Sequence, residues 1–549
     1  MSDRISPSRV LSLVSLALAM VLLLGSTVAA KATDDGGRVR VETPLGPVVG
    51  TVSDGVAIFL GLPFAAPPVG QYRFAPPRDA VPWTEPLEAL RPGPMAMQVP
   101  EAMVEESVSE DKASPGYSED CLFLNVWAPA GGAGGLPVYV FIHGGGFGLG
   151  SGSQAAFDGQ ALAREGIVVV TINYRLGALG FLALRETLRR HGTTGNWGLL
   201  DQIKALEWVR DNIAAFGGDP GKVTIGGESA GSFSVSALIV SPLAKGLFRG
   251  AIMESGTVLA LGQLSPFVRG DMDLSMGLGA ILAAVFGAGD DAAGLARLQE
   301  ADAGLLARLT PFLRDFRDPS RFGLVPVRDG RVIPKAPQES LALGRGAKVR
   351  LLLGFNADEG SIFIPDDGGA PQSYLDALAI AMGPGASRAF WRRFPVDGEH
   401  GLVARAREGF AMALISAGAK RFADLHSRHA DTFLYRFGYQ TAETRKLGLG
   451  ACHSLELPFV FGTFGPEVTM GPREERLGRE MRARWVNFVK TGDPNRGDGD
   501  PPLVEWPLYD PANPRAILFG ETVTAGPLPG AEDLDFMARE LYGPLPAAE

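Results

Sequence analysis

Ser229 stands in Gly227-Glu228-Ser229-Ala230-Gly231, between the apolar run Lys222-Val223-Thr224-Ile225 and the stretch Ser232 to Val240. The first run reads as a short buried strand and the second as a helix. A strand, a Gly-flanked turn with a central serine, then a helix is the layout that lifts a hydroxyl above a sheet and aims it at a cleft. The chemistry this offers is acyl transfer. A serine hydroxyl is a weak nucleophile, so it needs a base beside it, usually a histidine held in one tautomer by a carboxylate. In this layout the chain order is serine, acid, histidine. Of the six histidines, four follow Ser229: His400, His426, His429 and His453. His400 lies in the charged turn Asp397-Gly-Glu-His-Gly. His426 and His429 share a helical stretch at i and i+3, without a third ligand at zinc-site spacing, and read as surface residues. His453 lies in the small-residue loop Gly450-Ala-Cys-His-Ser, which best suits a ring that must enter a cleft. Asp358 and Glu359 both follow the apolar run Val349 to Phe355, where the acid belongs, and the residues alone do not separate them. The oxyanion needs N–H donors. One is the backbone of Ala230, after the nucleophile. The other should come from a Gly-rich loop, and His143-Gly144-Gly145-Gly146-Phe147 directly follows the run ending at Ile142.

These residues need a frame. Arg38 to Glu42 and Pro47 to Val52 alternate like a first hairpin. Phe59 to Gly70 is turn-rich. Leu122 to Trp127, Leu136 to His143 and Gly166 to Tyr174 read as strands of a buried sheet. From Gly198 to Phe216 the pattern turns helical, with Leu199, Leu200, Ile203, Leu206, Val209 and Ile213 on one face. After Ser255 the chain is mostly helical to about Leu343. It returns to strand at Val349, is helical again from 371 to 430, and forms a late strand at Thr432 to Tyr439. Arg476 to Lys490 is a helix, and the Pro/Gly/Asn-rich tail from 491 to 516 is expected on the surface. Alternation of this kind predicts a mixed, mostly parallel α/β sheet with helical insertions, in one domain over residues 33–549.

The chain has 549 residues, 46% hydrophobic and 20% charged, enough to bury a large core. The net charge of −10 comes with no basic block, which argues against nucleic acid and anionic membrane as partners. The acidic run from 93 to 119 is expected to be a solvated loop. Arg4 and Arg9, the apolar stretch Val10 to Leu24 and the small residues Val28-Ala29-Ala30 form an export signal over residues 1–32, so the protein is expected to be secreted or periplasmic. If left uncut, the run from Val10 to Ala30 would be just long enough to anchor the chain in a membrane. The two cysteines, Cys121 and Cys452, do not by themselves imply a disulfide. No metal and no cofactor is expected.

The chain resembles the type-B carboxylesterases, which include the cholinesterases and bacterial para-nitrobenzyl esterases. The resemblance rests on Gly61-Leu-Pro-Phe-Ala-Ala-Pro-Pro, Ser118-Glu-Asp-Cys-Leu-Phe-Leu-Asn-Val-Trp, His143-Gly-Gly-Gly-Phe, Asn196-Trp-Gly-Leu-Leu-Asp-Gln, Phe216-Gly-Gly-Asp-Pro, Gly227-Glu-Ser-Ala-Gly, Asp358-Glu-Gly-Ser and Phe459-Val-Phe-Gly, in that order. It implies an α/β-hydrolase fold and a serine esterase acting on small-molecule esters. It implies Ser229 as nucleophile, Glu359 rather than Asp358 as acid, and His453 as base. Gly145, Gly146 and Ala230 are implied as oxyanion donors, Ser255 as a serine behind the triad, and Arg73 with Asp120 as a structural ion pair. The chain departs from the family where a cysteine often precedes a glutamine: Pro94-Met-Ala-Met-Gln98 has none, so Cys121 is expected as a free buried thiol and Cys452 as a packing residue. No tryptophan lies in 97–120, which argues against choline esters. The aliphatic Thr257-Val-Leu-Ala-Leu, including Leu259, together with Ile362 and Phe363, is expected to line an apolar acyl pocket. A histidine base predicts activity lost below about pH 6. The motifs do not separate an esterase from a lipase, amidase or polyester hydrolase of the same fold. A non-catalytic adhesion module would be expected to lack the nucleophile, which this chain keeps.

Overall fold

The computed structural model describes residues 37–99, 116–132, 134–262, 272–308, 324–364, 366, 368, 371–397, 401–465, 468–496 and 503–546. The signal at 1–32, most of the acidic loop and His400 lie outside these residues.

Twelve strands follow one another across the main sheet. They are β1 (Arg38–Thr43), β2 (Gly46–Ser53), β3 (Val56–Pro63), β4 (Phe123–Pro129), β5 (Leu136–Ile142), β6 (Val168–Ile172), β7 (Gly218–Glu228), β8 (Gly250–Glu254), β9 (Arg350–Asn356), β10 (Thr432–Phe437), β11 (Arg515–Phe519) and β12 (Val523–Pro527). Their spatial order is β1-β2-β3-β4-β6-β5-β7-β8-β9-β10-β11-β12. From β6 to β11 every pairing is parallel. The edges are antiparallel: β1 to β4 and β6 on one side, β12 on the other. The predicted first hairpin is β1-β2. The turn-rich segment from Phe59 begins inside β3, because its apolar residues pair with β4. β4 and β5, neighbours in sequence, are separated in space by β6.

The central strands are buried on both faces, which is why they are continuous apolar runs rather than alternating ones. Along β5, Val138, Val140 and Ile142 join one core, while Tyr139 and Phe141 join the other. The first core contains α1 (Trp197–Asn212) and α2 (Ala230–Val240); the second contains α4 (Pro472–Thr491). The tail after α4 does not simply run over the surface. Trp506 is fully buried against Phe433, Tyr435 and Trp485, and its indole N–H donates to the Leu434 carbonyl at 2.9 Å. A single aromatic in a Pro-rich segment is enough to pull that segment into the core.

The C-terminal ends of β5, β7, β8, β9 and β10 point the same way. The segments leaving them carry His143, Ser229, Ser255, Glu359 and His453. This edge is where ligands bind in open α/β sheets.

Candidate active site

Ser229 occupies the turn between β7 and α2 with φ 53° and ψ −122°, a conformation a non-glycine residue adopts only when its surroundings enforce it. They do so by close packing. A Cβ on Gly231 would run into the Ile142 carbonyl oxygen, and one on Gly227 would sit 2.6 Å from Gly231 and 2.7 Å from the Ile142 oxygen. The turn is clamped by the Ser229 N–H donating to the Glu254 carbonyl at 2.9 Å. Six non-glycine residues with positive φ occur among the described residues, and four of them, Phe147, Ser229, Ser255 and Ser454, flank this site. Backbone strain is thus concentrated at one place, as it is at functional sites.

The Gly-rich loop lies directly against the turn: a Cβ on Gly144 would touch the Ser229 Cβ at 3.0 Å. His143 anchors this loop rather than entering the cleft. Its Nδ1–H donates to the Gly144 carbonyl at 2.8 Å, its ring stacks on Tyr174, and the Tyr174 hydroxyl donates to the His143 carbonyl at 3.0 Å. Burial pushes His143 down to about 4, so it stays neutral. Gly145 and Gly146 have φ of 102° and 59°. Among the described residues their N–H groups, and that of Ala230 at the first turn of α2, donate to no acceptor in the chain. Uncommitted donors in a Gly-rich loop and at a helix N-terminus are suited to an anionic oxygen.

Asp358 and Glu359 are adjacent but do different things. The Glu359 Oε2 lies 2.6 Å from His453 Nδ1, and its Oε1 accepts the Asn356 N–H at 2.7 Å. Asp358 faces the other loop. Its Oδ2 accepts the Ala451 N–H at 2.8 Å, and its own N–H donates to the Ala451 carbonyl at 3.0 Å. Asp358 latches the histidine loop to the end of β9. Arg407, on α3 (Leu402–Ala411), reinforces the latch by donating to the carbonyls of Ile364 and Gly448.

The other imidazole nitrogen, His453 Nε2, faces Glu228 Oε1 at 3.1 Å, and Ser454 Oγ donates to the same oxygen at 2.7 Å. Ser229 Oγ makes no hydrogen bond among the described residues. Burial alone would push His453 down. The Glu228 and Glu359 carboxylates, with Glu456 behind them, outweigh that and lift it to about 9. Glu228, Asn356 and Glu456 were not singled out by motif. Asn356 Nδ2 donates to the Cys452 carbonyl at 2.7 Å and to Glu456 Oε2 at 2.5 Å, tying the histidine loop to β9. Their signal was positional, since Glu228 and Asn356 are the last residues of strands whose next residues enter the site.

Phe363 packs on the His453 ring at 5.0 Å and on Phe410 at 5.3 Å, giving the cleft an aromatic wall. Ile362 beside it is 41% exposed, and Leu259 is buried in a short 3₁₀ turn after Ser255. Ser255 is fully buried behind Ser229. Cys121 and Cys452 are both free and buried; burial, then Glu359, pushes the Cys452 thiol up to about 12, so it is inert. Two expectations are corrected. Arg73 pairs bidentately with Glu119, both bonds 2.6 Å, and not with Asp120, because Glu119 is the residue whose longer side chain reaches the buried guanidinium. His426 is no surface residue: it is buried and bonded to Thr432 Oγ1 at 2.9 Å, since its helix packs against β10 on that side.

Comparison with known proteins bears on the family and the fold. A model described as the carboxylesterase family matches residues 38–379 and 398–537. The chain is 35% identical to para-nitrobenzyl esterase of Bacillus subtilis (strain 168) over 494 residues, covering 88% of this chain and 95% of that one. It is 35% identical to fumonisin B1 esterase of Sphingopyxis macrogoltabida over 547 residues, covering 95% and 93%. A solved PNB esterase structure superposes with a TM-score of 0.78 at 33% identity, covering 92% of this chain and 99% of its own.

Proposed function

The chain belongs to the carboxylesterase family, has the α/β-hydrolase fold and is a serine hydrolase of carboxylic esters; from that premise we propose that Ser229 is its nucleophile, His453 its base and Glu359 the acid. The observation that carries this reading is the 2.6 Å contact of Glu359 with His453 Nδ1, at the strand ends where Ser229 is strained into its turn. In the free enzyme Nε2 faces Glu228. A swing of the ring about its bond to Glu359 brings Nε2 from Glu228 to Ser229 Oγ. His453 then takes the serine proton as Ser229 attacks the ester carbonyl. The oxyanion is received by the N–H groups of Gly145, Gly146 and Ala230. The alcohol leaves with the proton from His453, and the acyl-enzyme is released by water activated at the same nitrogen. Glu359 fixes the imidazole and balances its charge.

The aromatic wall of Phe363 and Phe410, with Ile362 beside it, supports an apolar acyl or alcohol group on a small-molecule substrate. The N-terminal stretch supports export. Ser229→Ala is the direct test. The expected outcome is a loss of p-nitrophenyl ester hydrolysis on the order of 10⁶-fold, with unchanged circular dichroism. Retained turnover in the folded variant would overturn the assignment.

A further inference from the structure

Behind the triad lies a group that the reaction above does not use. Glu254 is the last residue of β8, fully buried, and neither carboxyl oxygen makes a hydrogen bond among the described residues. Its surroundings are built around it. On the neighbouring strands Gly226 and Gly354 leave open positions, and tyrosines from the next strands out fill them. Tyr139 leans from β5 over Gly226, and Tyr435 lies from β10 over Gly354. Both hydroxyls are buried without partners, as are Ser255 Oγ and the Trp485 indole N–H, which faces Glu254 from α4. Any side chain at either glycine would displace a tyrosine.

The charges around Glu254 are unbalanced. Glu228 is the in-register neighbour of Glu254. Glu456 and Glu359 are also fully buried nearby. Among the described residues His453 is the only cationisable group in contact with any of the four, through Glu228 and Glu359. Four buried carboxylates cannot share one positive charge and all remain ionised. The proton must sit where no cation reaches, and Glu254 has no basic partner, the neutral indole N–H of Trp485 being the one donor turned toward it.

We propose that Glu254 is a positioning residue that acts as a buried neutral carboxylic acid, and that its neutrality leaves Glu228 free to be the ionised partner of His453. The proposal rests on His453 as the base. Burial, with Glu456 and Glu228 adding to it, holds the Glu254 carboxyl well above the usual carboxylate range. Burial also leaves Glu228 raised, but His453 and Ser454, which Glu254 lacks, offset part of that rise.

The test is infrared difference spectroscopy of the wild type against Glu254→Gln at neutral pH. The expected result is loss of a protonated-carboxyl carbonyl band. Loss of a carboxylate band instead overturns the proposal. The pH profile of kcat/KM is the second readout. Its acid limb should stay in place in Glu254→Gln and move to lower pH in Glu228→Gln. A limb that moves down in Glu254→Gln means that an ionised group was removed, and the idea falls. If Glu254→Gln does not fold, Glu456→Gln decides, because Glu456 is the other carboxyl without a cation and burial, with Glu228 and Glu359, lifts it to about 8. In that variant a protonated-carboxyl band must persist from about pH 6 to about pH 9, and its disappearance within that range refutes a neutral Glu254. The infrared arm needs no turnover, so it fails independently of the triad assignment.

Discussion

His453 is held between two carboxylates, and this sets the pH at which it can accept a proton. An unperturbed imidazole predicts loss of activity below about pH 6. In the folded protein the neighbouring glutamates lift His453 to about 9. As the proposed base, His453 must be neutral to act, so kcat/KM should rise as pH climbs toward about 9 and fall steadily below it. Glu228→Gln removes one of the charges that raise His453, so the acid limb should move to lower pH. A wild-type limb near the ordinary histidine value of about 6.5 would contradict this account. The two adjacent acids should also separate cleanly. Glu359→Gln should lower kcat by about 10⁴-fold with little change in stability. Asp358→Ala should instead cost about 1–3 kcal/mol in urea unfolding, because it leaves the Ala451 N–H without its acceptor, and should lower kcat far less. Equal kinetic losses in both would show that Asp358 does more than latch a loop.

At the scale of the element, the turn between β7 and α2 depends on backbone contact rather than on any side chain. The helix starts so close to β5 that Gly231 has no room for a methyl group. Gly231→Ala should therefore force the Ile142 carbonyl aside, destabilising the protein by about 3 kcal/mol and displacing Ser229. Urea unfolding together with kcat on one ester measures both effects, and a variant of wild-type stability would show that the turn has slack. The same packing explains how α2 can begin immediately after a strained serine. The Ala230 N–H lies at the positive end of the helix, as the proposed oxyanion contact requires.

At the scale of the whole molecule, one sheet carries every candidate residue to its C-terminal edge. Helices cover both faces, and no helix among the described residues is long and apolar enough to cross a membrane. The proposed export signal makes a separate prediction. Intact-mass analysis of protein recovered from the periplasm or medium of an expressing bacterium should show a chain lacking about the first thirty residues. Recovery of the full-length chain in the membrane fraction would favour an anchor instead.

The sequence by itself determined the parts whose chemistry is local. The strand, turn and helix around Ser229, the Gly-rich loop after β5, the shortage of histidines after the serine and the absence of a second loop cysteine were all legible from residue types and spacing. Other features depended on which strands become neighbours. Glu228 and Glu254 are 26 positions apart in the chain, yet they lie side by side because β7 and β8 pair in parallel register. Asp358 and Glu359 are adjacent in sequence and point to different partners, because a 3₁₀ turn begins at Glu359. The choice of Glu119 for Arg73, the burial of His426 and of Trp506, and the raised His453 were likewise decided only by folding. Local propensity acts through covalent neighbours, whereas burial and charge act through space, and only the closed sheet brings these distant groups within each other's field.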